Sequence, residues 1–243
     1  MAPEKSIQAV DLAKKINAIA KTYKKQLSVI VCPPYLHIPM LTKQVKTIVL
    51  GAQGVAPDSE IAQTGLVSTG MLKNYGVTYC IVGHSEARNR GEDNESVGNQ
   101  VARLLEKKIK PILCVGEKER DTHGWYLSVV KEQIESAIAD IGKSALKNII
   151  IAYEPVWAIG TSALRVATPD ECHEMIIYIR KVIADLYGDK SAGLVSVIYG
   201  GSVNETNAKN FITEGHAQGF LVGRVSLDSK RFSKLAENIA GTK

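Results

Sequence analysis

No stretch of the 243-residue sequence approaches the roughly 18 consecutive apolar residues that a membrane-spanning helix needs. The opening residues, Met1-Ala2-Pro3-Glu4-Lys5-Ser6, lack the charged region followed by an apolar one that marks a secretory leader. A cytoplasmic location is therefore expected, with no membrane partner. Cysteine is sparse. Cys32, Cys80, Cys114 and Cys172 are scattered, with no C-x-x-C pair and no zinc-ligand spacing, which suits reduced thiols in a reducing compartment. Three of them lie in apolar runs and read as small buried hydrophobes. No metal and no cofactor is expected. A basic block is missing too: the net charge is +5, and lysines such as Lys14-Lys15 and Lys107-Lys108 are spread along helical stretches. Nucleic acid is thus not an expected partner, although a weakly basic field favours small anionic substrates. Linkers, repeats and low-complexity tracts are absent, so residues 1–243 are read as one domain, a length that a single α/β barrel fills.

What is there is the balance of an ordinary globular chain, 45% hydrophobic and 23% charged. Seven short apolar, β-rich runs recur: Ser28 to Val31, Thr47 to Gly51, Tyr79 to Val82, Pro111 to Val115, Ile149 to Tyr153, Val195 to Tyr199 and Gly219 to Val222. They are nearly continuous in apolar character, the pattern of parallel strands buried on both faces. Amphipathic helical stretches accompany them: Ile7 to Thr22, Met71 to Tyr75, Glu95 to Lys108, Trp125 to Asp140, Pro169 to Tyr187, Asn204 to Ile212 and Arg231 to Asn238. This alternation predicts repeated βαβ units, either closed into a barrel or opened as a doubly wound sheet. The chain opens on a helix, and a closed barrel needs one more strand to pair its two edges. That strand is expected upstream of Met1.

Candidate site residues follow the strands, where a barrel carries its chemistry. Glu154, taken alone, reads equally well as a surface carboxylate. Set between an apolar strand and Pro155-Val156-Trp157, it reads as a base screened from water, because desolvation raises a carboxyl pKa. His84 alone reads first as a structural histidine. Its place after Ile81-Val82-Gly83 equally suits a hydrogen-bond donor to a carbonyl oxygen. Gly200-Gly201-Ser202 and Gly223, each after one of the last two strands, are ordinary turns singly and a phosphate cradle together. A base, an electrophilic histidine, a cradle and a lid suggest proton abstraction beside a carbonyl in a small phosphorylated substrate.

Ala152-Tyr153-Glu154-Pro155-Val156-Trp157-Ala158-Ile159-Gly160-Thr161 resembles the signature of the triosephosphate isomerase family. Val82-Gly83-His84-Ser85-Glu86, Cys114-Val115-Gly116-Glu117, Tyr199-Gly200-Gly201-Ser202-Val203 and Gly219-Phe220-Leu221-Val222-Gly223 resemble further family blocks in the same order. The resemblance implies a (β/α)8 barrel isomerase of glycolysis and gluconeogenesis that interconverts dihydroxyacetone phosphate and D-glyceraldehyde 3-phosphate. It implies Glu154 as base and His84 as neutral electrophile, with Gly160, Ser202, Gly223 and Arg224 at the phosphate. Pro155 to Val166 would be a closing lid. Glu86 and Cys114 match supporting positions, where plain packing is an equal reading. It also implies a homodimer through the loop from Gln53 to Thr64.

Four departures from the family pattern stand out. The Asn-x-Lys block of the first strand, whose lysine supports the substrate phosphate, would precede Met1. The lid is longer than usual and has Ser162 where glycine is common. Arg224 replaces a second glycine, a change that a left-handed backbone would resist. The block Gly83 to Glu92 is shorter, with Ala87 in place of an arginine, and a local rearrangement is expected there. Two other readings stand beside an active isomerase: a barrel protein of impaired turnover that retains phosphate binding, and a different phosphate-binding barrel isomerase.

Overall fold

The computed structural model describes residues 3–57, 64–160, 163 and 165–242. Six of the apolar runs form strands: β1 (Ile30–Val31), β2 (Val49–Ala52), β3 (Tyr79–Val82), β4 (Lys110–Val115), β5 (Ile150–Tyr153) and β6 (Ser196–Tyr199). Each pairs in parallel with the next in sequence order, from Ile30 beside Val49 to Tyr153 beside Tyr199. The sheet curls, as a barrel requires.

A strand joined in parallel to its neighbour needs a crossover, and helices supply it. They are α1 (Ser6–Thr22), α2 (Ile38–Leu41), α3 (Thr69–Asn74), α4 (Ser85–Asn89), α5 (Asn94–Glu106), α6 (Trp125–Ile138), α7 (Pro169–Tyr187), α8 (Asp189–Ala192), α9 (Ala208–Thr213) and α10 (Ser229–Ala240). Local chemistry fixes their starts. The Asp93 carboxylate accepts the Ser96 N–H ahead of α5, and Asp228 accepts those of Lys230 and Arg231 ahead of α10. At α7, Thr168 and Glu171 form a reciprocal capping box with Pro169 in the first turn.

Both faces of the sheet are apolar because alternate side chains enter different cores. Ile81, Ile112, Cys114 and Ala152 gather with Cys32, Tyr79, Ile150, Ile198 and Leu221 on one face. Their neighbours Val82, Leu113, Val115, Ile151, Tyr153 and Val197 face the other way, onto Val97, Val101 and Leu104 of α5, Ile134 of α6 and Met175 and Ile179 of α7.

Two expectations need correction. Gly219 to Val222 does not form a seventh strand ladder; it makes one parallel bridge, Phe220 beside Tyr199. The Tyr199 N–H donates to the Gly219 carbonyl and the Leu221 N–H to that of Tyr199. The run then ends at Gly223 and a 3-10 turn, Arg224–Leu227, so no further rung fits. The helix expected from Asn204 starts at Ala208, because the Asn204 carboxamide oxygen instead takes the N–H groups of Thr206 and Asn207 in a preceding turn. Among the described residues, no helix is long and apolar enough to cross a membrane.

Candidate active site

His84 and Glu154 follow β3 and β5, strands on either side of β4 and far apart in the chain, and meet. Gly83 turns the chain out of β3 with φ +67, a left-handed conformation that suits glycine. A side chain there would also crowd the Cys114 carbonyl at 3.1 Å and Val97 at 3.2 Å. The turn is braced from both sides: Arg88 Nε donates to the Gly83 carbonyl at 2.8 Å, and the Gly83 N–H donates to Glu92 at 3.1 Å. These braces close the Gly83 to Glu92 block.

His84 then caps α4, its Nδ1 accepting the Glu86 N–H at 3.2 Å. With that lone pair engaged, the neutral ring carries its proton on Nε2, which lies 3.2 Å from Glu154 Oε1. The other carboxylate oxygen, Oε2, accepts the Ser85 N–H at 3.0 Å. Glu154 is 2% exposed. Burial raises its carboxyl above the ordinary range, opposed by His84, the Ser85 N–H and the Cys114 thiol.

Two glycines make the room. The Glu154 N–H is tied to the Val115 carbonyl at 2.8 Å, which presses the backbones of β4 and β5 together just beyond the strands. A Cβ on Gly116 would lie 1.8 Å from the Glu154 carbonyl oxygen, and one on Gly200 would lie 2.9 Å from Glu154 Cγ. Cys114 is fully buried, and both burial and the neighbouring Glu154 push its thiol well up, so it serves as a neutral donor. Glu86 contributes its backbone N–H to His84, while the residue itself is exposed.

The stretch after Glu154 is fastened by Glu117, a buried carboxylate just beyond β4. Its Oε1 accepts from Tyr153 Oη at 2.8 Å and from Trp157 Nε1 at 2.7 Å, and its carbonyl takes the Val156 N–H at 3.0 Å. Burial raises the Glu117 carboxyl, with Trp157 foremost among the groups that oppose the rise. Residue pattern alone assigned Glu117 and Gly116 no role of their own, and read Gly200 only as part of a turn at the phosphate cradle. The available signal was positional: Val115-Gly116-Glu117 repeats the arrangement of a carboxylate directly past an apolar strand.

The remaining candidates gather at the same end of the sheet. Gly160 has φ +79 and is exposed. Ser202 Oγ donates to the Ala158 carbonyl at 2.7 Å, joining the turn after β6 to the 3-10 turn Val156–Ala158. Gly223 and Arg224 lie beyond the run bridged to β6, Gly223 and Arg224 both at the surface. Arg224 opens its 3-10 turn without a positive φ, so a side chain there carries no left-handed strain. Thr161, Ser162 and Leu164 of the lid, and residues 58–63 of the Gln53 to Thr64 loop, lie outside the described residues.

A family model described as triosephosphate isomerase matches residues 3–239. The chain is similar to the triosephosphate isomerase of Endomicrobium trichonymphae, 38% identical over 235 residues that cover 95% of this chain and 92% of that one. It is equally similar to the enzyme of that name from Caldanaerobacter subterraneus subsp. tengcongensis, 38% identical over 232 residues, with coverage of 94% and 92%. The triosephosphate isomerase of Clostridium botulinum strain Okra is 37% identical over 232 residues with the same coverage.

Proposed function

The chain belongs to the triosephosphate isomerase family, and from that premise we propose how its residues interconvert dihydroxyacetone phosphate and D-glyceraldehyde 3-phosphate in glycolysis. Glu154 takes the proton from the carbon beside the carbonyl and returns it to the adjacent carbon. His84 polarises the substrate carbonyl by a hydrogen bond from Nε2, then protonates that oxygen and takes the hydroxyl proton from the neighbouring one, so the ring ends the turnover neutral as it began. The observation that bears most weight is the pairing of these groups: a carboxylate 2% exposed with an imidazole Nε2 3.2 Å away. Burial strengthens the base and keeps water from the intermediate. In the unliganded enzyme both Glu154 oxygens are occupied by protein donors, so substrate must displace the His84 contact, which frees one oxygen and the Nε2 proton together.

The phosphate is held by Gly160, the Ser202 turn and Gly223, with Arg224 as a nearby cation. Support for this is their shared position at the C-terminal end of the sheet, where parallel barrels bind anions. Residues 1–243 are read as one domain, cytoplasmic, and paired with a second copy through the loop from Gln53 to Thr64. That loop begins at the rim of a cavity of about 310 Å³ that also touches Tyr35, His84 and Arg90. Sedimentation velocity tests the pairing.

A coupled assay with glyceraldehyde 3-phosphate tests the chemistry. Glu154→Asp retracts the carboxylate by one methylene, and turnover is expected to fall about 100-fold or more while the melting midpoint moves little. Unchanged turnover in that variant refutes Glu154 as the base.

A further inference from the structure

We propose that Arg165 is a positioning residue of the lid, locking its two ends to each other in the unliganded enzyme so that ligand binding has to release it. The proposal rests on reading Pro155 to Val166 as the lid of an isomerase.

The Arg165 guanidinium lies over the Trp157 ring, 4.4 Å from its centre. It also forks onto one carboxylate, Nη1 to Glu171 Oε2 at 2.8 Å and Nη2 to Oε1 at 2.5 Å. Trp157 lies at the start of the lid, three residues past Glu154, and Arg165 lies near its end. The far partner is fixed as well: Glu171 belongs to the capping box of α7, its Oε2 taking the Thr168 N–H at 2.8 Å.

A second path closes the circle. Trp157 Nε1 donates to Glu117, Arg120 Nε stands 3.6 Å from the same Glu117 oxygen, and Arg120 Nη1 stands 3.6 Å from Glu171 Oε1. Trp157 is therefore gripped at its edge by Glu117 and on its face by Arg165, and the two grips share Glu171. Only the Arg165 side chain of this ring is half exposed, at 52%, which makes it the member free to let go. A planar, forked cation is needed to stack and pair at once, and lysine offers neither the plane nor the fork.

Acrylamide quenching of Trp157, read in a Trp125→Phe background so that it is the single tryptophan, tests the lock without turnover. Arg165→Ala is expected to raise the quenching constant at least twofold, and Arg165→Lys is expected to behave like alanine. In the coupled assay the KM for glyceraldehyde 3-phosphate should fall about threefold in Arg165→Ala, with a smaller change in kcat. An unchanged quenching constant, a lysine variant that quenches like wild type, or a KM that stays or rises overturns the proposal. If the unmodified enzyme shows no isomerase turnover, the functional reading fails, while quenching still decides whether Arg165 holds Trp157.

Discussion

Replacing Gly200 by alanine tests how tightly the carboxylate proposed as the base, Glu154, is placed. The added methyl would sit 2.9 Å from Glu154 Cγ and 3.3 Å from the Tyr153 carbonyl oxygen. Carbon atoms in comfortable contact stand about 3.5–4.0 Å apart, so Glu154 has to retreat by roughly 0.6–1 Å. Its hydrogen bonds to Ser85 and His84 measure 3.0 and 3.2 Å, and a retreat of that size takes both to the limit of useful hydrogen bonding. Misplacing a catalytic group by about 1 Å costs on the order of 100-fold in rate, so kcat should fall about 10- to 100-fold. The overpacking itself should cost about 1–3 kcal/mol of stability, which leaves the protein folded at 25 °C. Gly200 has no positive φ, so the backbone tolerates the alanine and the effect is purely one of space. Gly219→Ala is the control: its methyl would meet Ile198 at 3.4 Å, an ordinary contact, and kcat should stay within about twofold. The coupled assay and urea unfolding read both variants. A Gly200→Ala enzyme with unaltered kcat would show that Glu154 is not held against this strand turn, and the reasoning would fail.

Gly116→Ala puts its methyl 1.8 Å from the Glu154 carbonyl oxygen and 2.5 Å from the carbonyl carbon, backbone that cannot step aside, so expression of insoluble or unfolded protein is expected. Trp157→Phe removes a donor from the buried Glu117, and unfolding in urea should register a loss of about 1–3 kcal/mol. Burial raises the Glu154 carboxyl above its ordinary 4.5, and ionising it costs more in the folded state than in the unfolded one. Its contribution to stability is thus complete below pH 4.5 and is lost as pH rises through the folded pKa. Glu154→Gln should consequently be more stable than the parent at pH 8 and lose that advantage at pH 4, a comparison that thermal melts at the two pH values settle. The acid limb of kcat/KM should likewise lie above 4.5.

How much of this was legible in the sequence depends on whether the deciding neighbour is near in the chain. Strand runs such as Pro111 to Val115 announce themselves because parallel strands buried on both faces must be apolar throughout, and both faces here are indeed cores. Gly219 to Val222 has the same apolar look, yet whether a run becomes a ladder depends on the residues after it, and Gly223 with the turn Arg224–Leu227 stops this one after a single bridge. The meeting of His84 and Glu154 was legible because each follows an apolar strand beside special turn chemistry, and a curled parallel sheet brings strand ends together. The services that position them were not. Gly116 and Gly200 are crowded by Glu154, which follows the strand lying between theirs, and no spacing within one strand records that approach. Glu86 reads equally as a supporting position or as plain packing, and its service to His84 is a backbone N–H that any residue other than proline would carry. Arg224 points the same way: the glycine it replaces suggested a left-handed turn, whereas a 3-10 turn at that place accepts any side chain. Residue identity thus nominates the groups suited to chemistry, and contacts between distant segments tell how those groups are held.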